Sequence, residues 1–183
     1  MKKIFSITFL LFLLPIYSQY WKDVKDRCKI SHKCFAEIHH DDFENTDVIV
    51  SGKSVPIGGA KPDYGTCSVG FKKILKDGLL VGYIATFNSN GALSYTGCIT
   101  EGKSYISILF TNGEKLTLNY TGKIECGTMV IPVILSEANI ETLLANPINK
   151  LRMNFADGPI DFVAKEKQIP NFMEQLKCIH EIQ

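Results

Sequence analysis

After its first 18 residues, the 183-residue sequence has no long apolar run. It also has no concentrated basic segment and no close C-x-x-C pair of cysteines. Beyond the first 18 residues, nothing approaches the roughly 20 apolar residues that cross a bilayer as a helix. The 20 lysines and arginines of the sequence are scattered among 19 aspartates and glutamates, whereas a nucleic-acid-binding surface has clustered basic residues. We therefore expect no nucleic-acid partner, no membrane span after the N-terminal segment and no cofactor.

Catalytic signatures are also missing, since there is no G-x-S-x-G motif and no cysteine stands in a known catalytic context. One motif does match: Gly97–Ser104, GCITEGKS, fits the phosphate-loop pattern G-x-x-x-x-G-K-S. A phosphate loop needs a helix directly after it, with its N-terminus aimed at the anion. Here the alternating β-formers Tyr105–Phe110 follow instead. We interpret the match as a connection between strands and expect no nucleotide binding.

The N-terminus has the order of a secretory signal peptide. Residues 1–18, MKKIFSITFLLFLLPIYS, join two lysines to an apolar run of about a dozen residues and end on a small serine. Removing Lys2 and Lys3 with this segment would bring the 20 basic residues to 18, against 19 acidic ones, and the formal charge from +1 to −1. We expect cleavage after Ser18, one globular domain over residues 19–183, and a periplasmic or secreted location.

The cysteines all follow the predicted signal peptide, at Cys28, Cys34, Cys67, Cys98, Cys126 and Cys178. An even number of cysteines in an exported chain indicates disulfides, and six cysteines allow fifteen connectivities. A bridge from Cys67 to Cys98 is disfavoured, because a simple meander through Phe87 would place these two at opposite ends of a shared strand.

Hydrophobic alternation of period two dominates after Thr66 and predicts two β-hairpins. Their turns are Asn112-Gly113 and Asp157-Gly158; the strands are Tyr105–Phe110 with Leu116–Tyr120, and Leu151–Phe155 with Ile160–Ala164. Helices are predicted from the N-cap Ser136 and from near Pro170. The segment Val55–Asp63, rich in proline and glycine, is predicted to be a loop.

These elements define an α+β fold class. We predict a mainly antiparallel sheet of hairpins, with about six to eight strands, and two helices of the C-terminal half packed on one face. Disulfides are expected to replace part of the stabilisation that a larger core would supply.

Four residues, His32, His39, His40 and Asp41, are candidate metal ligands, because imidazole nitrogen and carboxylate oxygen bind zinc and other divalent ions. Their spacing matches no helical H-x-x-x-H arrangement. We therefore prefer to interpret His39–Asp42 as a solvated polar turn. The competing hypothesis is an exported hydrolase that builds a metal site from His39, His40 and Asp41.

The strings FTNGEKLTLNYTGKIECG, LRMNFADGPIDF and NFMEQLKC, with the leader ending in YSQ, resemble small exported uncharacterised proteins of the Bacteroidetes. The resemblance covers about Ser104 to Cys178. It implies a pairing of Cys126 with Cys178, since a cysteine after the first hairpin and another in a final LKC recur in those proteins. That family has no assigned activity to transfer. We expect a non-enzymatic protein that binds an unidentified protein or small molecule at the cell envelope.

Overall fold

Over residues 36–60, 65–90 and 97–182, which the computed structural model describes, the chain forms twelve strands and two helices. The strands are β1 Ala36–Asp41, β2 Thr46–Ser51, β3 Val55–Gly59, β4 Thr66–Lys76, β5 Leu79–Asn90, β6 Gly97–Ile99, β7 Tyr105–Phe110, β8 Lys115–Asn119, β9 Glu125–Thr128, β10 Val130–Leu135, β11 Ile148–Phe155 and β12 Gly158–Ala164. The helices are α1 Glu137–Ala145 and α2 Ile169–Glu181. A mostly antiparallel sheet with two helices and a disulfide is therefore confirmed, but the expected strand number is too low.

Ten strands form one sheet, in which the order β1-β2-β4-β3-β12-β11-β7-β8 runs along one path. The long strand β4 organises it, because Lys72–Lys76 pair with β2 and Thr66–Val69 pair with β3. Its opposite edge pairs with β5, and β5 in turn pairs with β10. The short strands β6 and β9 form a separate two-stranded sheet.

The strand pairs predicted around the two glycine turns are present. Strand β7 pairs with β8 across a turn in which Gly113 has a φ of 88°, and β11 pairs with β12 at Gly158. Ile106 faces Leu118 in the first pair, and Met153 faces Ile160 in the second. All four side chains are buried, as the alternation predicts.

Two predictions for the N-terminal half are wrong. Val55–Gly59 is strand β3 rather than a loop, and His39–Asp41 are the end of strand β1 rather than part of a turn. Glycine in β3 permits a close approach: a side chain at Gly58 would collide with the backbone of Val163 in the neighbouring strand. The residues that suggested a loop are thus explained by strand-to-strand packing.

Both predicted helices are present. Ser136 caps α1, because its hydroxyl accepts the N–H of Asn139 while the Asn139 side chain accepts the N–H of Ser136. Helix α2 contacts β2, β3 and β4, whereas α1 contacts α2 and β10. Packing of both helices on one face stays a prediction. Neither helix of the described part is long and apolar enough to span a membrane.

A buried lysine caps the C-terminal end of α2. The ammonium of Lys73, on β4, donates to the carbonyl oxygens of His180 and Ile182. A cation here complements the partial negative charge of a helix C-terminus and satisfies carbonyls that the helix leaves unpaired. Burial lowers the pKa of Lys73. The contact joins the last helical turn to the longest strand pair of the sheet.

Candidate functional site

The phosphate-loop match lies between two strands. Gly97–Ser104 spans β6 and a turn, and strand β7 follows. The carbonyl oxygen of Thr100 accepts the N–H groups of Lys103 and Ser104, and the N–H of Thr100 donates to the Ser104 hydroxyl. Three backbone donors of the segment, the N–H groups of Thr100, Lys103 and Ser104, are therefore already used within the turn. The interpretation as a connection between strands is confirmed.

The candidate metal ligands do not converge. His39, His40 and Asp41 follow one another along the exposed edge of β1, and His32 lies outside the described residues. Within residues 36–60, 65–90 and 97–182, no group of three or more histidine, cysteine or acidic side chains is arranged to hold a metal ion. The prediction of a solvated polar turn is half right, since the side chains are solvated but their backbone is a strand.

His40 is bound to carboxylates through both ring nitrogens. Nδ1 lies 2.7 Å from Asp47 Oδ1 and Nε2 lies 3.2 Å from Asp42 Oδ1. The hydrogen bond to Asp47 raises the pKa of His40, with smaller contributions from the charges of the nearby aspartates. A protonated imidazole donates from both nitrogens and has no lone pair left for a metal. The geometry thus favours a structural ion pair between β1 and β2.

Asp41 shapes the turn that follows β1. Its Oδ1 accepts the N–H of Phe43 at 2.9 Å and the N–H of Glu44 at 3.3 Å. Such a side-chain cap is typical of aspartate at the start of a turn. The carboxylate that suggested a metal ligand therefore holds Phe43 in place.

A second turn lies directly beside this one. Asn45 donates its side-chain amide to Asp77 Oδ1 at 2.6 Å, and the N–H of Asp77 donates to the Asn45 carbonyl at 2.9 Å. Lys76 Nζ lies 3.2 Å from Glu44 Oε2. The β1–β2 turn and the β4–β5 turn are therefore joined at one end of the sheet.

Four large apolar side chains are exposed at this end of the sheet, Phe43 in the β1–β2 turn and three at the start of β5, and we name them together the hairpin tip surface: Phe43, Leu79, Leu80 and Val81. Phe43 is 99% exposed and Leu79 is 73% exposed. Single exposed apolar residues are common on proteins, but a group of them on an organised element is typical of an interaction site. The carboxylates of Asp42, Glu44 and Asp77 lie in the two turns, that of Asp41 lies at the end of β1, and Lys76 is already paired with Glu44.

Sequence reasoning missed this surface although a signal was present. Leu79, Leu80 and Val81 are three consecutive apolar residues directly after the Asp77-Gly78 turn, where alternation predicts at least one polar residue. Such a run at an exposed position is unusual unless it has a function. Phe43 stands in an otherwise acidic turn, DDFEN, which is the second signal.

The disulfide pairing implied by the resemblance is wrong. Cys126 is bonded to Cys98, and the two residues face each other across β6 and β9 with Cα atoms 4.0 Å apart. Cys178 is disulfide-bonded as well, but not to Cys126. Cys67 is a free, buried thiol, in agreement with the argument against a Cys67–Cys98 bridge. Cys28 and Cys34 lie outside the described residues.

The Cys67 thiol is expected to be unreactive in the native protein. Burial raises its pKa to about 12, so at pH 8 roughly one thiol in ten thousand is ionised, and no solvent reaches it. Iodoacetamide at pH 8 should leave Cys67 unmodified in the native chain and should carbamidomethylate it in guanidinium chloride, as measured by mass spectrometry of the peptide that contains Cys67. Rapid modification of Cys67 under native conditions would contradict the buried position.

Comparison with protein-family models, with curated proteins and with solved structures finds no match to this chain. Its functional interpretation therefore rests on the chain's own residues.

Proposed function

We propose that this chain is a non-enzymatic exported protein that binds a protein partner at the cell envelope through the hairpin tip surface. The observation that carries the proposal is Phe43, an aromatic ring that is almost fully exposed on a turn held by Asp41. Exposed aromatic side chains on rigid elements are the usual anchors of protein interfaces. Because the turn is already organised, its ordering would cost little on binding.

Export is supported by two independent features. Residues 1–18 have the order of a signal peptide, and the Cys98–Cys126 disulfide suits an oxidising compartment. The resemblance to exported proteins of the Bacteroidetes agrees with this. A periplasmic or secreted location would place the hairpin tip surface where envelope proteins are available as partners.

The charges of the tip define the chemistry of the partner. Asp42 and Glu44 flank Phe43 in the chain and Asp77 lies two positions before Leu79, so a complementary surface has an apolar pocket bordered by lysine or arginine. Such complementarity mainly raises the association rate and selects the partner, while the apolar contact supplies affinity. An anionic membrane surface would be repelled by the same carboxylates, which is why we favour a protein.

The proposal is tested by placing a photo-crosslinking amino acid at position 43 of the full chain in its native cells. The crosslinked partner is then purified and its affinity measured. The double variant Phe43→Ser with Leu79→Ser is expected to weaken binding by at least about tenfold, because it removes the anchors. Added salt should slow association, because the acidic border is screened.

A matched control changes two other exposed apolar residues, Ile124→Ser and Ile134→Ser, which are 68% and 63% exposed. It should leave the affinity within about twofold. Equal weakening by both double variants would contradict the proposal, and so would two other results. One is a wild-type dimer that dissociates only in the Phe43→Ser and Leu79→Ser double variant, because the hairpin tip surface would then bind a second copy of this chain. The other is binding of the wild type to lipid vesicles with no protein partner.

A further inference from the structure

A recess lies on the outer face of β8, β7, β11 and β12, at the opposite end of the sheet path from β1 and β2. Its volume is about 230 Å³, and its lining includes Lys115, Lys150, Arg152 and Ser107. Because basic side chains line it, we name it the basic recess. It shares no residue with the hairpin tip surface, so it is a second and separate candidate site.

The register of three strands brings the lysines together. Leu109 on β7 faces Lys115 on one side and Lys150 on the other, so both lysines flank the same apolar residue. One row further along the same face, Ser107 faces Arg152. Side chains two residues apart on a strand point to the same face, which places all of these groups around one depression.

The charge balance of the recess is positive. Arg152 is already paired with Asp161, through Nε to Oδ1 at 2.5 Å and Nη2 to Oδ2 at 2.7 Å. This pair raises the pKa of Arg152 and lowers that of Asp161. In the described part of the chain, no carboxylate lies within ion-pair distance of Lys115 or Lys150. Asp161 also interacts with the charge of Lys150, so three cations and one carboxylate in the lining give the recess a formal net charge of 3 − 1 = +2.

Ser107 supplies the second and independent observation. It is only 7% exposed, yet its hydroxyl makes no hydrogen bond to the rest of the described structure, and its residue lines the recess. Among the described residues, the one fully buried side-chain oxygen without a partner belongs to Gln168, so the Ser107 oxygen still reaches the recess and is open to a ligand. An anionic oxygen in the recess would accept this O–H between the two lysines.

We propose that the basic recess binds the phosphate group of a small phosphate monoester. The dianionic phosphate lies between the ammonium groups of Lys115 and Lys150 and accepts the hydroxyl of Ser107, while the ester group contacts Leu109. Two positive charges and one hydroxyl donor match a doubly charged group with three free oxygens better than a singly charged carboxylate with two. Arg152, fixed by Asp161, borders the site and keeps its guanidinium in position.

The test is a titration of the protein from residue 19 onward with glycerol 3-phosphate, inorganic phosphate and acetate, followed by calorimetry or amide chemical shifts. We expect saturable binding of both phosphates, with amide shifts centred on residues 107, 115 and 150, and much weaker binding of acetate. Lys150→Gln should weaken phosphate binding by at least about tenfold. The control Lys72→Gln, an exposed lysine on β4, should change it less than about twofold.

Ser107→Ala separates a ligand contact from a structural role. It should weaken phosphate binding several-fold, while the unfolding midpoint of the ligand-free protein stays unchanged, because the Ser107 hydroxyl makes no hydrogen bond to the rest of the described structure. Three results would overturn the proposal: no saturable shift with either phosphate, equal affinity for acetate, or equal weakening by Lys72→Gln and Lys150→Gln. A lower ligand-free midpoint for Ser107→Ala would overturn the role of the hydroxyl.

Discussion

Replacing Gly58 by alanine is expected to destabilise the protein by about 2–4 kcal/mol, one of the two largest effects that we predict for a single substitution. A Cβ atom at this position would lie well under 3.0 Å from the carbonyl oxygen of Val163 and 2.8 Å from its carbonyl carbon. Both are backbone atoms, so no side-chain rotation relieves the clash. Guanidinium chloride unfolding followed by circular dichroism measures the loss directly.

The effect should be large because of where Gly58 lies in the sheet. The paired residues of strands β3 and β12 are Gly58 with Ala164 and Gly59 with Val163, and the N–H of Lys165, directly after β12, donates to the carbonyl of Ile57 at 2.9 Å. This short pairing connects β1-β2-β4-β3 to β12-β11-β7-β8 along the path of the sheet. An added methyl group therefore separates two halves of the path instead of perturbing an edge.

Gly82→Ala is the matched control, because Gly82 also lies in a strand, on β5, and a Cβ atom there would meet nothing within 4 Å. The control should stay within about 0.5 kcal/mol of the wild type or gain slightly from the lower entropy of the unfolded chain. Similar losses for Gly58→Ala and Gly82→Ala would contradict the close approach of Val163 as the cause.

Local sequence signals predicted the elements whose stabilisation is local. The Asn112-Gly113 turn between alternating segments fixes both the turn and the register of β7 with β8, because positive φ and the buried face agree. The same holds for Ser136, whose side chain caps α1, and for Pro170 in the first turn of α2. In each case the information lies within a few residues of the element.

Strand β3 could not be predicted in this way, because its stabilisation is tertiary. Pro56 and Gly58 are breakers by local propensity, yet β3 pairs with β4 through an irregular register that shifts between these two residues. Glycine is favoured at position 58 because the backbone of Val163, more than a hundred positions away in the chain, leaves no room for a side chain. Only the folded sheet brings that neighbour near.

The two candidate sites were missed for the same reason. Alternation predicts that Lys115 and Lys150 face outward, but each belongs to a different hairpin, and only the pairing of β7 with β11 places both beside Leu109. The hairpin tip surface likewise needs the contact between Asn45 and Asp77. The disulfide partner of Cys126 was hidden because β6 has only three residues, too few for a periodic pattern.

Phe172→Ala is expected to destabilise the protein by about 3–5 kcal/mol, the typical cost of deleting a fully buried phenyl ring. Phe172 has no exposed surface, and its ring lies 5.5 Å from that of Phe71 in an edge-to-face arrangement. Through this ring contact, Phe172 packs helix α2 against strand β4. Urea unfolding of the protein from residue 19 onward, monitored by circular dichroism at pH 7, gives the difference in the free energy of unfolding.

Two variants on the same helix make this result specific. Asn171→Ala changes the exposed neighbour and should stay within about 0.5 kcal/mol of the wild type. Phe172→Leu keeps most of the apolar volume and should recover roughly half of the loss or more. A double-mutant cycle with Phe71→Leu should give a coupling of about 0.5–1.5 kcal/mol, because the rings touch. Additive losses would mean that α2 is held by its other contacts, above all the Lys73 cap on the carbonyls of His180 and Ile182, and that Phe172 only fills volume.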